Sequence, residues 1–155
     1  MIRTLLRGGV AGAAGTTVLD AVGYADMAWR GRSASGVPSR LADELTRDLG
    51  HPVTGSGEAR DNRLSALGAL TGIGLGCAVG VSVSLLHAAG LRLPWWAGGL
   101  MTGALAMAAA DVPIARLGLS DPATWSAADW TSDVVPHLLY GVVTYGVVAA
   151  GDRCP

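Results

Sequence analysis

The hydrophobic positions of this chain fall into four long runs separated by polar stretches. The runs cover about residues 5–28, 64–90, 95–117 and 133–150. A bilayer core of about 30 Å takes roughly 20 mostly apolar residues as a helix, and each run approaches or exceeds that length. Backbone groups in lipid must be satisfied within their own segment, so the pattern predicts helices and not open strands. The expected fold is all-α: a polytopic four-helix membrane bundle forming a single domain over residues 1–155. Trp29, Trp95, Trp96, Trp125 and Trp130 fall at the ends of the runs, where indole rings favour the headgroup level.

The long polar loop, residues 30–63, carries six Arg and five acids. Within it Leu41, Leu45 and Leu49 recur at four-residue spacing, which predicts a short amphipathic helix over 39–49. Ser39 is its expected N-cap and Gly50-His51-Pro52 its stop. Such a helix either lies on the membrane surface or packs on the bundle. Residues 54–62 read as a linker. The stretch 117–130 reads as a re-entrant or interfacial turn begun by Ser120-Asp121-Pro122, and Asp111-Val112-Pro113 resembles a helix break that frees the Ala109 carbonyl.

Small residues line up along the runs. Residues four apart share a helix face. The first run has Gly8, Gly12, Thr16 and Asp20 in one row, and the third has Gly99, Gly103, Met107 and Asp111. The matching segments "GAAGTTVLD" and "GALAMAAAD" suggest a duplicated two-helix hairpin with both copies in the same orientation. The second run has Gly68, Gly72, Gly76, Gly80 and Ser84 in one row. Such ridges let backbones approach closely, which drives helix association in lipid.

Polar residues inside the runs are the candidates for chemistry, because an ionised carboxylate at the bilayer centre costs about 2.5–3.5 kcal/mol on insertion scales. Asp20, Tyr24, Asp26, Asp111, Arg116, Asp133, His137 and Tyr140 all lie towards the same face of a four-helix bundle. On the fourth run Asp129, Asp133 and His137 form a row at four-residue spacing, extended by Gly141 and Tyr145, with Pro136 kinking the entry. A structural polar network is the favoured reading, since intramembrane polar groups bond across helices. A proton or ion pathway is the second. A metal or hydrolytic site is the third, and one His with scattered Asp is a poor transition-metal set. His87, at the far end of the second run, reads as an interfacial residue. No catalytic or phosphate-binding motif occurs.

Composition agrees with a membrane. Half of the residues are hydrophobic and 15% are charged, against about a quarter in soluble domains. Gly reaches 23, and mean hydropathy is +0.41. The net charge of −1, with no basic tract, argues against nucleic-acid binding. Cys77 and Cys154 offer no metal spacing and no disulfide framework. The N-terminal "MIRTLLRGGVAGAAG" imitates a signal peptide, but its run continues past Asp20 to Trp29, too long for one. Arg30, Arg32, Arg40, Arg47, Arg60, Arg63 and Arg116 outnumber Arg3, Arg7, Arg92 and Arg153. The positive-inside rule then puts the long loop in the cytoplasm.

The segments "GAAGTTVLDAVGYADMAWRGRSAS" and "DPATWSAADWTSDVVPHLLYG" carry a resemblance. Through Asp20, Tyr24, Asp26, Arg30, Gly31 and Arg32, and then Trp125, Asp129, Trp130, Pro136, His137, Tyr140 and Gly141, the chain resembles a group of small multi-pass membrane proteins of actinobacteria. It is more faintly similar to the YagU-type inner-membrane proteins of enteric bacteria. The resemblance covers about a third of the chain and implies membrane topology in a bacterial plasma membrane, with no chemistry. The expected function is non-enzymatic: a packing or accessory subunit of a membrane complex, or a homo-oligomer, without metal or cofactor, whose partners are the bilayer and another membrane protein or a second copy. The alternative is a small proton, cation or solute transporter using Asp20, Asp111 and His137.

Overall fold

In a computed structural model, which describes residues 1–151, the chain forms five α-helices. Arg153 and Cys154 lie outside the described residues. The helices are α1 (Ile2–Arg30), α2 (Val37–Asp48), α3 (Gly57–Ala88), α4 (Trp95–Arg116) and α5 (Ala127–Ala150), with a short 3-10 turn at Pro122–Thr124 before α5. Three of them, α3, α4 and α5, are long and apolar enough to cross a membrane. That corrects the expected four. The reason lies in α1's composition: its buried face consists of Gly8, Ala11, Gly12, Gly15 and Thr16, and Arg7, Asp20 and Asp26 interrupt the rest. Glycine and threonine count little towards hydropathy even where they pack well.

The helices start and stop for local reasons. Gly31 sits at φ 64 and caps α1, a left-handed conformation that glycine adopts without a Cβ penalty. Helix α2 starts at Val37 and not at Ser39, because Pro38 in its first turn supplies a helical φ and needs no amide partner. It stops where expected: Gly50 takes φ 73, and the His51 amide donates to the Thr46 carbonyl at 2.8 Å. Helix α3 starts at Gly57, so most of the expected linker is helical. Its 32 residues reach about 48 Å at 1.5 Å per residue, and the polar first turns extend past the apolar run. Helix α4 runs through Pro113 to Arg116, so Asp111-Val112-Pro113 lies within the last two turns of a continuous helix and is not a break. Helix α5 begins at Ala127, before the expected 133, so only 117–126 of the expected turn is a connection, and it holds the 3-10 turn.

Helix α1 packs between α3 and α5, and α4 packs on α5, while α3 and α4 touch only sparingly. The core contains Ala11, Val79, Val83, Ala106, Tyr140, Tyr145 and Val148. Two glycine crossings bring the backbones together. Where α1 meets α3, a Cβ on Gly80 would strike the Gly8 carbonyl and the Gly12 backbone, and one on Gly12 would strike Gly76 and Cys77. Where α4 meets α5, a Cβ on Gly141 would strike the Gly99 carbonyl and the Gly103 backbone, and one on Gly103 would strike His137 and Leu138. The crossings match contact for contact: Gly8 with Gly99, Gly12 with Gly103, Gly76 with His137, Gly80 with Gly141.

The glycine row of α3 is not one groove. Gly68 meets Pro38 of α2 and Gly76 meets Thr16 of α1, but nothing lies within 4 Å of a Cβ on Gly72. Gly72 therefore meets no other helix of this chain. Four residues turn a helix somewhat past one revolution, so the row winds around α3 and its members face different neighbours.

Helix α2 is held on α3 by an ion pair. Arg60 Nη2 lies 2.5 Å from Asp43 Oδ1, and Arg47 Nη2 lies 2.6 Å from Asp43 Oδ2. The hydrogen bond from Arg60, helped by the charge of Arg47, holds the Asp43 carboxyl below the usual carboxylate range.

Candidate functional site

The polar residues gather where α1 ends and α5 begins. Ser126 and Asp129 form a capping box: the Asp129 amide donates to Ser126 Oγ at 3.2 Å, and the Ser126 amide donates to Asp129 Oδ2 at 2.9 Å. Both satisfy donors that a helix start leaves open. The box fixes the first turn of α5 and so aims Asp129, Ser132 and Asp133. Trp125 donates to Ser120 Oγ at 3.0 Å and meets Trp130 edge-on with ring centroids 5.1 Å apart.

Asp26 anchors the end of α1. Its carboxylate takes Arg32 Nε at 2.6 Å, Arg30 Nε at 3.3 Å and the Ser132 hydroxyl of α5 at 3.1 Å. Arg30 also reaches the Ala128 carbonyl at 3.4 Å. Sequence reasoning found Asp26 and missed Ser132, whose partner lies 106 residues away. The two arginines belonged to the resemblance but carried no assigned role.

A second group lies one turn deeper between α4 and α5. His137 Nδ1 is 2.8 Å from the Asp133 carbonyl and 3.5 Å from Asp133 Oδ1. Asp111 of α4 and Asp133 of α5 each bury an Oδ2 atom that has no hydrogen-bond partner, and a buried carboxyl oxygen left without a donor is costly. Among the described residues, no three His, Cys, Asp or Glu side chains are arranged to hold a metal ion.

The remaining candidates separate. Asp20 and Arg116 are exposed, and Tyr24 is 65% exposed; none of the three joins the Asp111–Asp133–His137 group. Tyr140 is buried and donates to the Gly76 carbonyl at 2.6 Å, tying α5 to α3. Its neighbour on that face, Thr144, donates to the Ala11 carbonyl of α1 at 3.4 Å. His87, in the last turn of α3, is buried and meets Tyr145 edge-on at 5.8 Å. Tyr145 in turn closes the α3–α4 connection, accepting from the Leu93 amide and donating to the Leu93 carbonyl.

Two cavities flank these groups. One, of about 270 Å³, opens at the polar end and is lined by Arg30, Arg32, Ser35, Trp125, Asp129 and Asp133, among others. The other, of about 740 Å³, is an apolar groove between α3 and α4 lined by residues such as Leu75, Ala78, Ser82, Leu86, Leu105 and Ala109. No family model, curated protein or solved structure matches the chain.

Proposed function

We propose that this chain is a non-enzymatic packing subunit of a bacterial plasma-membrane assembly, built from two copies of one glycine-crossed hairpin. The reading rests on the apolar groove between α3 and α4. In the register of the matching crossings, α4 corresponds to α1 and α5 to α3. The seam between α1 and α5 then has a counterpart between α4 and α3. The first seam is closed by Gly15 against Tyr140 and Thr144. The second is open. A groove lined by small and aliphatic side chains fits an apolar helix, and lipid offers no hydrophobic penalty against either arrangement, so close packing decides.

Helix α1 packs against α3 and α5, both apolar enough to cross a membrane, and Asp20 stands exposed on it, where a donor from a partner would stabilise the carboxylate. The long loop faces the cytoplasm, in line with the arginine distribution and the actinobacterial resemblance. The test is gentle extraction of the tagged protein with its partners, compared with Ala78→Trp and Ser82→Trp, which fill the groove. Loss of a specific companion or of self-association supports the reading; an unchanged assembly sinks it.

A second reading has its own observation. Asp111 and Asp133 each bury an oxygen without a hydrogen-bond partner, and Asp133 also lines the cavity at the polar end. That favours a proton- or cation-handling role at this pair. Proteoliposome flux that survives Asp111→Asn combined with Asp133→Asn would rule it out.

A further inference from the structure

Apart from Asp133, the cavity at the polar end has a lining that neither reading uses. Its charged walls come from two directions. Arg30 and Arg32 project from the end of α1, and Asp129 and Asp133 from the first two turns of α5. Both arginines engage Asp26 through Nε. Each spends one further N–H on a carbonyl, of Ala128 or Ser33, at 3.4 and 3.3 Å. That leaves Nη2 on each guanidinium for a ligand. Asp129 commits Oδ2 to the capping box, which leaves Oδ1 for a ligand. Ser35 and Trp125 complete the wall.

Arg30 and Arg32 share one carboxylate, Asp26, so together they present about one uncompensated positive charge beside Asp129 and Asp133, a division of charge that suits a zwitterion better than a simple anion or cation. At about 270 Å³ the cavity is smaller than the roughly 300–1,000 Å³ of ordinary ligand pockets, so it suits a headgroup. It lies at a helix end beside two tryptophans, the level at which headgroups sit. We infer that this cavity binds the headgroup of an amine-bearing phospholipid of the ethanolamine type. The phosphodiester lies against the Nη groups of Arg30 and Arg32, a pairing favoured by charge-assisted bonds. The ammonium lies between Asp129 and Asp133.

The test is lipid retention by the intact purified protein in native mass spectrometry. Phosphatidylethanolamine is compared with phosphatidylglycerol of the same acyl chains. The ethanolamine lipid is retained about tenfold more, the worth of one charge-assisted contact. Asp133→Asn removes that preference, and Arg30→Gln weakens retention of both lipids. Ser35→Trp, which fills the mouth without touching an ion pair, abolishes specific retention while the circular dichroism is unchanged. Glycerophosphoethanolamine, the same headgroup without chains, competes at high concentration if the headgroup carries recognition. Equal retention of the two lipids, retention unaffected by Ser35→Trp, or no competition by the free headgroup would each overturn the inference.

Discussion

Gly80 and Gly141 hold the same place in two different helix crossings. A Cβ on Gly80 would strike the Gly8 carbonyl and Gly12, and one on Gly141 would strike the Gly99 carbonyl and Gly103. Each crossing is set by backbone against backbone, so neither neighbour can move aside by changing a rotamer.

Substitution at these crossings therefore separates sharply from substitution elsewhere on the same helices. Gly80→Leu and Gly141→Leu are each expected to destabilise the bundle by about 3 kcal/mol, the upper end of ordinary overpacking, because backbone must shift. Gly72→Leu and Gly9→Leu meet nothing within 4 Å and are expected to leave stability within about 0.5 kcal/mol. Thermal melts of the four variants in one detergent check this. Equal losses at Gly72 and Gly80 would show that the row acts as a single face after all.

The tether between α2 and α3 should depend on pH. Asp43 is held below the usual carboxylate range by Arg60, so its ionised form is favoured by folding. The contribution is fully present above the unfolded carboxylate pKa of about 3.9. It is lost as pH falls through the lower folded value. The protection factor over residues 37–48, taken against intrinsic amide exchange at each pH, is expected to be high at pH 7 and to fall on acidification below about pH 4. Asp43→Asn should show low protection at both pH values; high protection in that variant at pH 7 would mean that apolar contacts alone hold α2.

Tyr140 joins packing to a hydrogen bond. Tyr140→Phe keeps the ring and loses only the bond to the Gly76 carbonyl, an expected cost of about 1 kcal/mol. Tyr140→Ala empties a fully buried site and should cost about 3–5 kcal/mol. Chemical denaturation in detergent distinguishes the two. Similar losses would show that the hydroxyl dominates.

The pattern of apolar runs made the helices readable, and the spacing of glycines made the two crossings readable. Gly8, Gly12, Gly99 and Gly103 all sit where a row at four-residue spacing puts them against a neighbour. Gly72 does not, because the row winds around α3 and the sequence does not say where each neighbour stands. The helix starts at Val37 and Ala127 were missed because Pro38 and the Ser126–Asp129 box act over single turns, below the length of a hydropathy run. The candidate site was half readable. Asp111, Asp133 and His137 share a depth and come together, but depth says nothing of rotation, and Asp20 at a matching position in α1 points outward. Ser132 carried no signal, since a serine in an apolar helix more often bonds its own preceding turn, as Ser132 also does with Ala128.

The most direct measurement places a photo-crosslinking amino acid at Leu86 in the α3–α4 groove and, separately, at Leu6 on the outer face of α1. Both side chains are exposed, at 43% and 63%. Irradiated in native membranes, the Leu86 probe should give a discrete protein adduct, from a partner or a second copy, and the Leu6 probe should give none of that mass. Protein adducts absent at Leu86, with lipid adducts alone at both positions, would contradict a helix-docking groove.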